Sequence, residues 1–265
     1  MIRNVSLSGA IALFLSALNA AAADLPPGLD RAELLPAYQT ADGTWMTALR
    51  LDLAAGWKTY WRSPGDAGVP PGFDWAGSTN LASAALHWPR PEIIDSDGER
   101  TLGYHDELIL PIELTPARPG EQVSGKVAID LGLCLNICVP AHLELTTPAP
   151  AAAAAPDPRI ATALALVPQQ GADSVACTVT EIEDGLRVAA SVPAPDGLDE
   201  AAALELATPD VWVSQPELTA EGNRITATAD FVGPTGRPFA LDPAALRLTL
   251  VGQGGAVEYQ GCAPV

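Results

Sequence analysis

Lys126-Val127-Ala128-Ile129-Asp130-Leu131-Gly132-Leu133-Cys134-Leu135-Asn136-Ile137-Cys138-Val139-Pro140-Ala141-His142 is the stretch from which the rest of the chain is read. Val127, Ile129 and Leu131 alternate with Lys126, Ala128 and Asp130, the period-two pattern of a half-buried strand. That strand delivers a cysteine pair. A continuous strand would hold Cys134 and Cys138 roughly 13 Å apart, at ~3.3 Å per residue. A disulfide needs Cα atoms within about 7 Å. If the two sulfurs bond, the chain must turn between them, and Asn136 is the expected turn residue because it tolerates left-handed backbone angles.

Three chemistries fit this spacing. A short closed loop can carry a redox-active disulfide. Cys-x3-Cys-x3-His, ending at His142, resembles part of the dinuclear copper site of cytochrome oxidase subunits, and thiolates with imidazole suit copper. The third reading is a small covalent staple without exchange chemistry. The spacing alone leaves all three open.

The N-terminus reads as an export signal, residues 1–23. Arg3 supplies the positive start, Ile11 to Leu18 an apolar core, and Ala21-Ala22-Ala23 a small-residue cleavage site before Asp24. The apolar core is shorter than the ~20 residues that cross a bilayer. The mature chain is therefore expected to be a soluble exported protein in an oxidising compartment, where disulfides persist. Losing Arg3 with the leader leaves 13 basic against 32 acidic residues, net −19. That balance argues against nucleic acid or an anionic membrane surface as partner.

About 240 mature residues suit two small domains. Pro148-Ala149-Pro150, five alanines and Pro156-Asp157-Pro158 read as a stiff linker, with Asp157 capping a short helix from Pro158 to about Val167. The expected divisions are 24–150, a linker with helix at 151–168, and 169–265. A further helical turn is expected at Asp30 to Leu35. Elsewhere short alternating runs predominate: Trp45 to Leu53, Gly56 to Trp61, Ala84 to Trp88, Leu108 to Leu114, Val123 to Leu131 and Leu143 to Thr147. The second part repeats the pattern from Val175 to Cys262, most cleanly at Ile225, Ala227, Ala229 and Phe231. Many short strands with little helix predict an all-β chain of two sandwiches. Cys177 lies in the first strand of the second sandwich and Cys262 in its last, as a structural staple would. In the chain-entropy model such a loop stabilises by about 4–5 kcal/mol at most.

Residues 56–75 concentrate three of the six tryptophans, Trp57, Trp61 and Trp75, with Tyr60 and Phe73, in a chain that is only 5% aromatic. Trp57 and Trp75 are the first candidates for the core. The functional reading is an aromatic cover over the cysteine site. Tyr60 and Trp61 are neighbours on a strand and face opposite ways, so only one of them can cover it from there.

The run Gly56-Trp57-Lys58-Thr59-Tyr60-Trp61-Arg62-Ser63-Pro64-Gly65-Asp66-Ala67-Gly68, continuing to Trp75, resembles the opening of the N-terminal domain of DsbD-like protein-disulfide reductases, especially the branch related to ScsB. His87-Trp88-Pro89-Arg90-Pro91-Glu92, Leu102 to Leu114 and Cys134 to His142 follow in the family's order. The resemblance implies an immunoglobulin-like sandwich with Cys134 and Cys138 as its redox pair and no cofactor. The resemblance covers about residues 30–147; with the strand pattern of the second part and the linker, the expected fold class is all-β, two immunoglobulin-like sandwich domains joined by a Pro/Ala-rich linker with a short helix. The resemblance also implies electrons passing from a membrane-embedded donor of the DsbD/ScsB type to periplasmic thioredoxin-fold proteins. Full reductases continue into a multi-helix membrane domain and a thioredoxin-like domain. Neither precedes Val265, so the expected donor is a separate protein.

Tyr104 is a candidate ring beside the cysteines, in a turn expected before the strand from Leu108. His142 is a candidate to tune a thiolate pKa. The competing reading is a periplasmic copper-binding or copper-tolerance module without turnover, using Cys134, Cys138 and His142, with His105 or His87 as a further ligand. Leu145 stands where a dinuclear copper site would place Met.

Overall fold

A computed structural model describes residues 25–96, 98–148, 155–206 and 211–264, and these form four β-sheets. The first sheet holds β1 (Leu29–Leu34), β2 (Tyr38–Gln39), β3 (Trp45–Leu53), β6 (Leu81–Leu86) and β9 (Glu107–Pro116). Its order is β1-β3-β9-β6, with β2 also on β3. The second sheet holds β4 (Lys58–Tyr60), β5 (Gly72–Asp74), β7 (Glu92–Ser96), β8 (Glu99–His105), β10 (Lys126–Cys134) and β11 (Cys138–Thr146). It runs β11-β10-β4-β8-β7, with β5 also on β10. Odd-numbered residues of β3 and β10, among them Leu49, Leu51, Val127, Ile129, Leu131 and Leu133, meet in one apolar core. The alternation in the sequence is thus the inward face of two facing sheets.

The first even residues of β3 are buried too, whereas Arg50 and Asp52 further along are partly exposed. Met46 and Ala48 pack with Leu35 and with Ile160 of α1 (Pro158–Leu164), on the outer side of the first sheet. Asp157 caps that helix, accepting from the Arg159 amide at 2.9 Å. The helix is shorter than its apolar pattern suggests and ends at Leu164. The pieces of the expected linker at 149–154 lie outside the described residues, as do residues 1–24 with the expected leader. Among the described residues no helix is long and apolar enough to cross a membrane.

The third sheet contains β12 (Gln169–Gln170), β15 (Ala201–Leu206), β19 (Leu246–Gly252) and β20 (Gly255–Gln260). The fourth contains β13 (Ala176–Glu181), β14 (Leu186–Pro193), β16 (Trp212–Val213), β17 (Glu217–Glu221), β18 (Arg224–Val232) and β21 (Ala263–Pro264). These sheets enclose a second core that includes Val188, Ala227, Phe231, Leu248 and Leu250. The third sheet is covered on both faces. Ala202 and Leu204 face the second core, whereas Ala201, Ala203, Val251 and Ala256 join the first.

Two expectations are corrected. Leu29–Leu34 is a strand, not a helical turn, because it gains an edge by pairing with β3 from Leu29↔Leu53 to Leu34↔Leu49. Its irregularity between Leu29 and Arg31 breaks the alternation that would have marked it. The segment before Leu108 is strand β8 up to His105, and the turn is confined to Asp106, at φ 57°.

Candidate functional site

Cys134 and Cys138 are bonded and stand directly opposite each other at the end of the β10–β11 hairpin, with Cα atoms 4.1 Å apart. The chain does turn between them. Asn136 occupies the turn without a left-handed backbone, since the only non-glycine residues at positive φ among those described are Asn80 and Asp106.

Register decides what lies over this bond. Cys134 pairs with Lys58 of β4, which places Tyr60 opposite Gly132 on the outer face of the second sheet. The Tyr60 ring lies on Gly132. A Cβ added there would come within 3.2 Å of two ring carbons and 3.1 Å of Val69 Cβ. A glycine inside a strand thus marks a close approach. The Tyr60 hydroxyl reaches both sulfurs, at 3.0 Å from Cys134 Sγ and 3.1 Å from Cys138 Sγ. Bonded sulfurs carry no proton, so the hydroxyl is the donor. Burial raises the Tyr60 pKa above that of a free phenol, which keeps that proton in place through neutral pH.

Burial separates the two cysteines, which spacing could not. Cys134 is 2% exposed beneath Tyr60, whereas Cys138 is exposed. The turn beside Cys138 carries Leu135 and Ile137, 47% and 77% exposed, and Val69 of the covering loop is 47% exposed. The disulfide therefore sits at a small apolar tip, covered from one side and open from the other.

The other aromatic candidates lie elsewhere. Trp61 is fully buried in the first core, as its position next to Tyr60 on a strand requires. Tyr104, the register partner of Thr59, also points inward. It stacks on Trp88 with centroids 6.5 Å apart, and its hydroxyl donates to the Pro89 carbonyl at 2.7 Å. Neither ring covers the sulfurs, and this corrects their expected place. Trp57 and Trp75, the first core candidates, are only partly buried at its margin.

His142 shares the disulfide's face but binds Asp130 Oδ1 through Nδ1 at 2.7 Å. It pairs across the hairpin with Asp130, four register positions from the cysteines. His105 and His87 lie beside Glu92 and Glu113. Among the described residues no three His, Cys, Asp or Glu side chains gather as a metal-binding group. Cys177 and Cys262 are bonded to each other, Cα atoms 5.8 Å apart, and tie the chain's end to β13, whose Cys177 is 1% exposed.

Two features of the site escaped sequence reasoning. Gly132 could have been found as an unexplained glycine inside an otherwise regularly alternating strand. Arg62, beside the covering loop, bonds Glu205 and Glu258, 143 and 196 residues away, so it carries no local signal.

Fold and site together define a β-sandwich whose hairpin end presents a half-covered disulfide to solvent. Residues 31–150 match the family described as thiol:disulfide interchange protein DsbD, N-terminal, and this part of the chain is similar to that family. The chain is also similar to the N-terminal periplasmic domain of ScsB from Proteus mirabilis, at 28% identity with a TM-score of 0.59. That likeness covers 84% of this chain and 89% of the other, so it extends beyond the family match. No curated protein matches the chain.

Proposed function

We propose that this chain is a periplasmic thiol–disulfide exchange module whose working bond is Cys134–Cys138. The observation that carries this reading is the Tyr60 hydroxyl within hydrogen-bonding distance of both sulfurs, with only Cys138 exposed. A partner thiolate attacks Cys138 Sγ. The Cys134–Cys138 bond breaks, a partner–Cys138 mixed disulfide forms, and Cys134 leaves as a thiolate. The Tyr60 O–H strengthens its hydrogen bond as charge builds on Cys134 Sγ. The partner's second thiolate then attacks its own sulfur in the mixed disulfide and releases Cys138. The partner is now a disulfide, and this chain holds two thiols after taking up two protons. Run in reverse toward an oxidised protein, the same steps pass the electron pair onward.

In this reading the donor is a membrane-embedded reductase of the DsbD/ScsB type and the acceptors are periplasmic thioredoxin-fold proteins. The chain is organised as sandwich domains at 24–150 and 169–265, joined by 151–168, with residues 1–23 cleaved near Ala23. Cys177–Cys262 has a structural role. The family match of residues 31–150 and the likeness to a periplasmic domain of ScsB support the exchange role and the periplasmic location. The test is the reduction potential of each disulfide, by thiol trapping in a glutathione series. Cys134–Cys138 is expected to titrate within the glutathione range. A value below about −300 mV would place it with inert structural bonds and overturn the reading.

A further inference from the structure

The covering loop is held by the far end of the chain. The Trp61 amide donates to the Leu102 carbonyl at 3.0 Å, and the Leu102 amide donates to the Pro64 carbonyl at 3.0 Å. These two bonds bracket a single residue of β8, so Arg62 and Ser63 are extruded as a bulge, a device that re-aims side chains. Arg62, two residues from Tyr60, is aimed at the third sheet. It forms a two-pronged pair with Glu205 of β15, Nε to Oε1 at 2.9 Å and Nη2 to Oε2 at 3.0 Å. It also bonds Glu258 of β20, and its guanidinium lies 4.1 Å from the Trp61 ring centroid. Arg62 and both carboxylates are 15–18% exposed. Arg247 stands on the same sheet face, 3.9 Å from Glu205 and 3.8 Å from Glu258, so two cations balance two anions. Four residues further along the loop, Asp66 accepts the Gln215 amide at 2.8 Å. Beyond that point the loop returns over Gly132 and the Tyr60 ring through Gly68 and Val69.

We propose that Arg62 is a positioning residue through which the C-terminal sheets hold the loop closed over Cys134–Cys138. The C-terminal part thereby sets how readily reagents and partners reach the sulfurs. The proposal rests on Cys134–Cys138 being the working bond, but it concerns access and not potential. A planar bidentate pair fixes orientation as well as charge, which a lysine at the same position cannot do.

The test compares the full oxidised chain with Arg62→Lys, Glu205→Gln and Asp66→Ala. The rate at which the small phosphine TCEP reduces each disulfide is followed by thiol trapping and mass mapping. Arg62→Lys and Glu205→Gln are expected to speed reduction of Cys134–Cys138 about tenfold, equivalent to about 1.4 kcal/mol of lost closure. Asp66→Ala acts in the same direction with a smaller factor. The Cys177–Cys262 bond in the same samples keeps its rate, and the potential of Cys134–Cys138 does not move. Unchanged rates at Cys134–Cys138 in folded variants overturn the proposal. So does equal acceleration of both disulfides, which would mark a general loosening. Asp66 is exposed and bonds one backbone amide, so Asp66→Ala decides the matter should the buried variants fail to fold. Exchange of the wild type with a thioredoxin-fold protein is measured separately, so failure of the functional reading is told apart from failure of this one.

Discussion

Tyr60→Phe removes a single hydroxyl and leaves the ring that lies on Gly132. In the resting disulfide that hydroxyl donates to neutral sulfur, a weak acceptor. When Cys138 is attacked, negative charge builds on Cys134 Sγ, 3.0 Å from the same donor. A hydrogen bond to a charged group is worth about 1.5–3 kcal/mol, against about 1 for a neutral one. Charge is only partly developed in the transition state, so the difference felt by the rate is about 1–1.5 kcal/mol. Reduction by dithiothreitol is therefore expected to slow about tenfold, each 1.36 kcal/mol being a factor of ten. In the reduced protein the Cys134 pKa should rise, because a donor to the charged form favours that form. Tyr60→Ala, by contrast, also strips the cover, so oxidation of the reduced cysteines by a small oxidant should be faster than in Tyr60→Phe. The assay is stopped-flow reduction and oxidation with circular dichroism as folding control. Wild-type reduction rates in folded Tyr60→Phe would show that the hydroxyl takes no part and that Tyr60 acts by bulk alone.

Ile137→Asp alters the most exposed apolar side chain beside Cys138. It is expected to slow exchange with a thioredoxin-fold protein about tenfold while leaving dithiothreitol reduction within about twofold, and equal slowing of both would refute a docking role. Cys177→Ser with Cys262→Ser should lower stability by up to about 4–5 kcal/mol in urea unfolding, yet keep exchange at Cys134–Cys138; a folded variant without exchange would reverse the assigned roles. Trp61→Ala should cost about 3–5 kcal/mol, as for other buried large rings, where Tyr60→Ala costs less because its ring lies outside the sandwich core; equal costs would contradict that placement. Burial raises the pKa of Tyr60, Tyr104 and Tyr259. The folded state therefore binds protons that the unfolded state releases, so the tyrosine contribution is intact below the unfolded value near pH 10 and declines as pH rises through the folded values. Urea midpoints between pH 8 and 11.5 check this, and a midpoint that rose above pH 10 would contradict it.

Much of the site was legible in the residues. Alternation at Val127, Ile129 and Leu131 marked a half-buried strand, and geometry required a turn before Cys134 could reach Cys138. The run from Gly56 to Trp75 pointed to the family that residues 31–150 match. Adjacent positions on a strand also required that Tyr60 and Trp61 face opposite ways. Period-two alternation is a local consequence of backbone geometry, and so can be read without a fold. What it lacks is the sign. Only the pairing of Cys134 with Lys58 put Tyr60 on the outer face over the sulfurs and Trp61 and Tyr104 in the core. Only packing of the loop on Gly132 made Cys134 buried and left Cys138 open. Strand β1 was missed because it is an irregular edge, stabilised by β3 and not by its own pattern. The contact of Arg62 with Glu205 and Glu258 spans 143 and 196 residues. No local rule reaches that far, since such pairs come together only once both sheets have closed on their cores.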